Sequence, residues 1–254
     1  MVGECTGRTL KTTRTSLRVF ELVLEYNGLA LADLDDMLDR PKSSLYSHLR
    51  TLEDARYLVR DGGTYHVGYR MALLGQEVER RYPATSVAPP VVGKLAEKTG
   101  KEANFTLLEH GRLLLVHGAS GESAAENPTE YRTEYYLHNT AAGRAILAGM
   151  DRDRVERVLD EWALPRETEK TITDRDHLFE VLADTAERGY GLVEEEVSPG
   201  LVSVGAPVHD NEGIVGGLSV GGPVDRVDTT RLEGELVDPL FEAVDTIERQ
   251  LDGR

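Results

Sequence analysis

The amino-terminal third of the chain carries apolar residues three and four positions apart, which is the period of an amphipathic helix. Three such segments follow one another, with apolar positions at Leu17, Phe20, Val23 and Leu24, at Leu31, Leu34, Met37 and Leu38, and at Leu45, Leu49 and Leu52. Asn27-Gly28 ends the first segment, and Pro41 separates the second from the third. Two helices joined by so short a break predict a helix-turn-helix.

Two β-prone runs follow the third predicted helix. Residues 57–60 and 64–67 flank Asp61-Gly62-Gly63, which predicts a tight hairpin. Three helices followed by a hairpin give the order of a winged helix-turn-helix. A fourth helix is predicted over residues 70–81, and Tyr82-Pro83 stops it. The predicted domains are therefore residues 1–82 and 83–254.

The rest of the chain alternates between strand and helix patterns, which predicts the α+β class. The predicted strands are 104–108, 113–117, 134–137, 202–209 and 214–220, and the predicted helices are 87–98, 141–149, 152–162, 175–188 and a last one from about 230. Pro89-Pro90 is expected to interrupt the first of these helices and Pro239 to kink the last. Residues 118–133 are expected to form a loop.

The charge of the chain is distributed unevenly. The net charge is −16, and residues 1–82 hold 12 basic and 12 acidic residues, so that residues 83–254 carry the whole excess of acid. Only 6 of the 29 basic residues are Lys. Acid-rich, Lys-poor usage is typical of proteins that work in concentrated salt, and it favours a halophilic source. The alternative is that the acidity supplies solubility.

Composition also predicts the compartment. Cys5 is the single cysteine, which excludes a disulfide framework and a Cys-rich metal site and fits a reducing cytoplasm. No run of about 18 apolar residues occurs, and the first residues are polar and basic, so neither a membrane span nor a signal peptide is predicted. Seven His are scattered without metal-ligand spacing, and no metal or cofactor is predicted.

A helix-turn-helix places its second helix in the major groove of DNA, with the first residues of that helix at the base edges. The predicted contacts are small, hydroxylated or basic, and they are Lys42, Ser43, Ser44, Tyr46, Ser47 and Arg50. Arg50 can pair bidentately with guanine. Arg60 and the Gly62-Gly63 turn are expected along the backbone or the minor groove. Residues 40–60 hold five basic and two acidic residues, a net charge of +3 within an acidic chain.

Further cations extend this surface, and they are Arg8, Lys11, Arg14 and Arg18. By contrast, the second predicted helix carries Asp33, Asp35, Asp36 and Asp39, where such a helix crosses the phosphate backbone. These aspartates repel DNA at low salt unless cations lie between them and the phosphates. The alternative interpretation of the whole segment is a helical hairpin that packs against a partner protein.

Three stretches together resemble the IclR family of transcriptional regulators. PKSSLYSHLRTLEDARYLVRDGGTYHVGYRMALLG, within residues 15–80, is similar to that family's recognition helix, wing and linker helix. LHNTAAGRAILAGM (137–150) resembles the start of its effector-domain helix, and GYGLVEEEVSPGLVSVGAPVHDNEGIVGGLSVGGPVDRV (189–227) resembles its closing strands. The resemblance implies a GAF-like α/β effector domain with an antiparallel sheet, dimers joined through the DNA-binding end, and often tetramers.

The resemblance also implies a pocket for a small metabolite. The family's pocket segments fall on Thr140, Ala141, Ala142, Val193, Leu201, Ser203, Ser219 and Gly221. Backbone N–H groups at the start of the helix can bind a carboxylate, and Ser203 and Ser219 can donate hydrogen bonds. Val193 and Gly221 replace positions where family members can carry polar side chains, so a larger effector with an apolar part is expected. The alternative is that these small residues only permit tight packing.

These features predict a regulator that binds double-stranded operator DNA as a homodimer or tetramer and responds to a small metabolite carrying a carboxylate. Two alternatives remain. In the first, the carboxy-terminal domain only oligomerises. In the second, the chain is an enzyme that uses Glu194-Glu195-Glu196 as acid and base, although a solvated charge run is the simpler interpretation of these three residues.

Overall fold

The computed structural model describes residues 9–122, 133–227 and 232–253, and the chain forms two compact units, Met1–Arg81 and Tyr82–Arg254. The amino-terminal unit contains, in order, α1 (Lys11–Glu25), β1 (Leu29–Ala30), α2 (Leu31–Met37), α3 (Lys42–Asp54), β2 (Leu58–Asp61), β3 (Thr64–Val67) and α4 (Arg70–Glu79). Its antiparallel sheet has the strand order β1-β3-β2.

The core of the amino-terminal unit is built from the apolar faces that the sequence pattern predicts. Its buried residues include Val19, Leu22, Leu34, Leu45, Leu49, Leu58 and Tyr65. Leu45 and Leu49 lie on one face of α3, one helical turn apart, and hold that helix against α1 and α2. The opposite face of α3 is therefore left to solvent.

The carboxy-terminal unit contains five α-helices and six strands among the described residues. They are α5 (Ala84–Thr99), β4 (Glu102–Glu109), β5 (Arg112–Ser120), β6 (Glu134–Tyr136), α6 (Ala141–Ala148), α7 (Arg152–Trp162), α8 (Arg175–Arg188), β7 (Gly191–Glu194), β8 (Leu201–Asp210), β9 (Gly213–Pro223) and α9 (Asp238–Asp252). The strands form one antiparallel sheet in the order β6-β5-β4-β9-β8-β7.

Each face of this sheet packs against helices. On one face, Phe105, Val204 and Leu218 lie in a core shared with α5 and α9. On the other face, α6 lies over β7, β8 and β9 and packs against α8. Because successive strand residues face opposite sides, residues between the core positions of β4, β8 and β9 point toward α6.

Proline does not break α5, contrary to the sequence prediction. Pro89 and Pro90 both lie inside this continuous helix. A proline in a helix interior costs about 3 kcal/mol, but seven α5 residues are buried, and they are Ala84, Val87, Ala88, Val91, Val92, Leu95 and Ala96. Burial of one Val or Leu side chain contributes about 1.5–3 kcal/mol, so packing outweighs the local preference.

Other predicted boundaries also move. Pro239 lies in the first turn of α9, directly after a short π-helical segment, so it opens this helix instead of kinking it. The predicted start of that helix near residue 230 lies outside the described residues. Most of the predicted loop 118–133 also lies outside them, although residues 118–120 extend β5. Among the described residues, no helix is long and apolar enough to cross a membrane.

Candidate DNA-binding surface and effector cavity

The exposed face of α3 carries the predicted DNA contacts. Lys42, Ser43, Tyr46, Ser47 and Arg50 are exposed, whereas Ser44 is half-buried. The spacing of these exposed positions follows from the burial of Leu45 and Leu49 on the opposite face of the helix. The structure therefore brings this predicted set together on one surface.

Two cations of this surface are held by weak ion pairs. Arg50 Nε lies 3.2 Å from Asp54 Oδ1, and both side chains are about 60 % exposed. Lys42 Nζ lies 3.5 Å from Asp35 Oδ2. Exposed pairs contribute about 0–1 kcal/mol, so both cations can exchange these partners for bases or phosphates.

The wing is a two-residue hairpin. Asp61 pairs with Thr64, and between them Gly62 and Gly63 have φ values of 55° and 103°. A type I′ turn needs positive φ at both central residues, which explains the two glycines. Arg60 is exposed beside this turn, with its guanidinium 5.4 Å from the Tyr65 ring centroid.

Most of the charged residues that flank α3 lie on α1 and α2. Lys11, Arg14 and Arg18 lie on α1, while Arg8 lies outside the described residues. Of the α2 aspartates, Asp33 accepts a hydrogen bond from the backbone N–H of Ala30 and Asp36 is exposed. Asp33 thus caps the start of α2.

A cavity of about 130 Å³ lies in the carboxy-terminal unit. Its lining includes all eight predicted pocket residues, and they are Thr140, Ala141, Ala142, Val193, Leu201, Ser203, Ser219 and Gly221. A single water needs about 10–15 Å³ of cavity, so the space suits a ligand of about ten non-hydrogen atoms. Nine residues that the sequence did not indicate also line it, and they are Glu102, Asn104, Thr106, Leu113, Tyr135, Val197, Ser198, Val202 and Gly222.

The first turn of α6 lies close to the sheet beside this cavity because the strand residues beneath it are glycines. A Cβ on Gly205 would lie 2.3 Å from the Ala142 nitrogen, and a Cβ on Gly191 would lie 1.9 Å from the Ala141 oxygen. Any side chain at either position would push α6 off the sheet. The close approach places the first turn of α6 directly over β8.

That first turn has no side-chain cap. Thr140 occupies the N-cap position, but its hydroxyl donates to the Tyr136 carbonyl at 2.8 Å and accepts no hydrogen bond from the helix. The first N–H groups of a helix have no intrahelical partner, and they carry the positive end of the helix dipole. This terminus can therefore bind an anion.

A buried ion pair fixes the loop that borders the cavity. Arg144 Nη2 donates to Glu196 Oε2 at 2.7 Å, and the side chains of Arg144 and Glu196 are 3 % and 8 % exposed. Arg144 also donates to the His138 and Leu192 carbonyls. The residues directly after Glu196 line the cavity.

The three consecutive glutamates therefore differ, and the prediction of a solvated run is wrong for Glu196. Glu194 and Glu195 share the exposed Lys170, with oxygens 2.9 and 2.6 Å from Nζ. Glu195 has a φ of 58°, which turns the chain after β7 and directs Glu196 inward. An irregular backbone ends the strand alternation on which the prediction relied.

Histidine supplies no metal centre in the described part of the chain, where no group of three or more His, Cys, Asp or Glu side chains lies close enough to hold an ion. His138 is buried, and burial is the main cause that lowers the pKa of its ring to about 4. His138 Nε2 lies 3.3 Å from the Pro165 carbonyl oxygen. His138 is neutral at physiological pH.

Comparison with known proteins identifies both units. The family described as "IclR helix-turn-helix domain" matches residues 15–62, and "Bacterial transcriptional regulator IclR C-terminal" matches residues 77–249. The winged helix-turn-helix and the antiparallel α/β sheet thus define a DNA-binding transcriptional regulator with an effector-binding domain.

The chain belongs to the IclR family. It is 31 % identical over 231 residues to "HTH-type transcriptional regulator BhcR" of Paracoccus denitrificans, which covers 90 % of this chain and 82 % of that protein. It is 27 % identical over 252 residues to "Probable HTH-type transcriptional regulator ArcR" of Halobacterium salinarum, covering 96 % and 95 %. These relatives are named as regulators and not as enzymes, so the enzyme alternative is wrong.

A solved structure shares the fold. An IclR homologue from Microbacterium hydrocarbonoxydans, complexed with 4-hydroxybenzoate, superposes with a TM-score of 0.80 at 21 % identity and covers 95 % of this chain and 99 % of its own. The likeness extends over both units.

Proposed function

We propose that α3 enters the major groove of operator DNA and that the wing follows the backbone or the minor groove. Arg50 reads a base, Lys42 contacts phosphate, and the first turn of α3 brings the serines to the DNA. The observation that supports this proposal is the exposed, hydroxylated and basic face of α3, opposite buried Leu45 and Leu49. The protein acts in the cytoplasm, where the operator lies.

We further propose that the cavity of the carboxy-terminal unit binds a small effector carrying a carboxylate. The carboxylate lies at the uncapped start of α6, where the Ala141 and Ala142 N–H groups donate to it. Ser203 and Ser219 donate from the sheet, and Val193 contacts an apolar part. The supporting observation is the uncapped helix terminus at a cavity where these five residues meet. The 4-hydroxybenzoate of the Microbacterium homologue belongs to the same chemical class.

Oligomers complete the proposed mechanism. The protein acts as a homodimer or tetramer. Residues 70–81 transmit the change in dimer geometry between the effector-binding unit and the DNA-binding unit. Leu73 and Val78 on α4 are each more than half exposed, at 52 % and 53 %, and apolar surface of this kind is typical of a contact with a second copy. The effector changes operator affinity only if it binds one dimer geometry more tightly than the other.

The test begins with the operator. DNA recovered with the protein from its own cells is sequenced, and the neighbouring genes nominate the metabolites to be assayed. Operator binding is then measured by fluorescence anisotropy against a panel of carboxylates, with Ser203→Val and Ala142→Leu as cavity variants. We expect both variants to bind operator normally and to lose the effector response. Ala183→Leu, on the exposed face of α8, is the matched control.

An unchanged response in both cavity variants removes the assignment of the cavity. The alternative function, in which the carboxy-terminal unit only oligomerises, predicts that no carboxylate raises the melting temperature of the wild-type protein. A bound ligand at 100 times its Kd raises stability by about 2.7 kcal/mol. The halophilic interpretation stays a prediction, and the salt titration described in the Discussion tests it.

A further inference from the structure

The strand β4 presents three polar side chains to the effector cavity. Glu102, Asn104 and Thr106 line it, whereas the alternate residues of β4 are buried on the other face of the sheet. The Thr106 hydroxyl donates to the Gly217 carbonyl at 3.1 Å. Glu102 Oε1 and Asn104 Oδ1 are buried, and neither accepts a hydrogen bond from any described residue. Two oxygen acceptors on β4 thus line the cavity without a donor among the described residues.

No cation of the described chain compensates these acceptors. The described lining of the cavity contains Glu102 but no Lys, Arg or His. Burial accordingly raises the pKa of the Glu102 carboxyl. A buried acceptor without a partner is costly, and a charged one more so. A ligand that brings a donor to this point removes that cost.

The acceptors lie on β4, whereas the start of α6 packs over β8 and β9, so they occupy different parts of the cavity lining. Asn104 pairs with Ser219 on β9, and Ser219 pairs with Gly205 on β8. Gly205 lies under the Ala142 nitrogen. Neighbouring strands are about 4.8 Å apart, so the backbones of Gly205 and Asn104 are two strand spacings, or about 10 Å, apart. Glu102, two residues before Asn104 on β4, pairs with Gly221 of β9.

We propose that the effector is a two-ended small acid. Its carboxylate meets the start of α6, and a hydroxyl or ammonium group at its other end donates to Glu102 and Asn104. This inference rests on the proposed effector function of the cavity and adds the second recognition group. A rigid acid of about ten non-hydrogen atoms fits the space.

Three matched acids test the proposal by isothermal titration calorimetry of the full-length protein. They share one ring and carboxylate and differ at the far end, and they are 4-hydroxybenzoate, 4-(aminomethyl)benzoate and 4-methylbenzoate. We expect at least one donor-bearing acid to bind about 10-fold or more tightly than 4-methylbenzoate, since hydrogen bonds to charged groups are strong.

Variants separate the two donors. Glu102→Met is expected to abolish the preference over 4-methylbenzoate. Glu102→Gln keeps an oxygen acceptor, so a preference for the hydroxyl persists and a preference for the ammonium disappears. Glu109→Gln, at the exposed end of the same strand, is the matched control and leaves all affinities unchanged. Asn104→Leu provides a second test of the same end should Glu102→Met not fold.

Stability gives an independent readout. Glu102→Met is expected to melt no lower than the wild type without ligand, because it removes a buried oxygen that has no donor among the described residues. A purely structural Glu102 would instead melt lower after this change, and that result overturns the proposal.

Equal affinity for the three acids in the wild type, or an unchanged preference in Glu102→Met, also overturns it. If 4-methylbenzoate then binds and Ala142→Leu prevents that binding, the effector cavity itself stands. If no benzoate binds but another carboxylate acts through Ala142 in the operator assay, the two-ended class is wrong and the cavity is retained. Failure of both assays rejects both proposals.

Discussion

Replacement of Glu196 by Gln removes the negative charge that faces Arg144 and changes little else in shape. Arg144 Nη2 donates to Glu196 Oε2 at 2.7 Å, and the backbone N–H of Ile172 donates to the same oxygen at 3.2 Å. Both hydrogen bonds can persist with a glutamine oxygen. The perturbation is therefore the loss of the anion beside a buried guanidinium.

The magnitude follows from the burial of the pair. Loss of one partner of a buried ion pair costs about 3–5 kcal/mol, because the remaining charge is desolvated. The Arg144 side chain is 3 % exposed, so solvent cannot compensate. A retained neutral hydrogen bond offsets about 0.5–1.5 kcal/mol of this cost. We expect Glu196→Gln to lower the free energy of unfolding of the carboxy-terminal unit by about 2–4 kcal/mol.

Urea unfolding followed by circular dichroism measures this difference. Glu194→Gln is the control, because Glu194 is half-exposed and its pair with Lys170 is expected to contribute less than about 1 kcal/mol. The double variant Arg144→Met, Glu196→Met removes both charges and is expected to be closer to wild type than either single variant. A loss below about 1 kcal/mol in Glu196→Gln would refute the reasoning, because Arg144 would then be solvated.

The remaining predictions concern DNA and pH. Arg50→Ala is expected to weaken operator binding by about 1–3 kcal/mol and to relax the sequence preference at one base pair. The exposed control Arg157→Ala is expected to leave operator binding unchanged. Equal weakening on every DNA sequence would make Arg50 a phosphate contact. Operator affinity is expected to fall by less than about 0.9 log units per phosphate contact for each tenfold rise in potassium chloride, and a full slope in the titration contradicts the halophilic interpretation. The pKa of His138 is lowered to about 4 from 6.5, so the unfolded chain gains a proton first as the pH falls, and stability decreases between these values by about 3 kcal/mol. His138→Gln should flatten this part of the pH profile of urea unfolding, and an identical profile would contradict the burial of the ring.

The sequence alone determined the local parts of the amino-terminal unit. Leu45 and Leu49 lie four residues apart, and this period is sufficient to predict which face of α3 is exposed. Gly62-Gly63 predicts the hairpin because few other residues adopt positive φ at two successive positions. In both cases the physical cause is contained in a few neighbouring residues.

The resemblance to the family indicated half of the cavity, and one local pattern could have indicated more. The β4 segment reads Glu102, Asn104 and Thr106 at alternate positions, which is a polar strand face in a chain where the other face is apolar. The pattern shows that the three residues share a side. It does not show what lies on that side, because the sequence does not specify that β4 pairs with β9.

Tertiary structure decided the features in which residues distant along the chain meet. Arg144 and Glu196 are 52 positions apart, and their pairing depends on the turn at Glu195 and on the close packing of α6 over Gly205. Local sequence specifies helix and strand periods, since these arise from short-range sterics and hydrogen bonds. Strand order, register and the burial of a charge depend on the free energy of the whole fold, and they set the chemistry of the cavity.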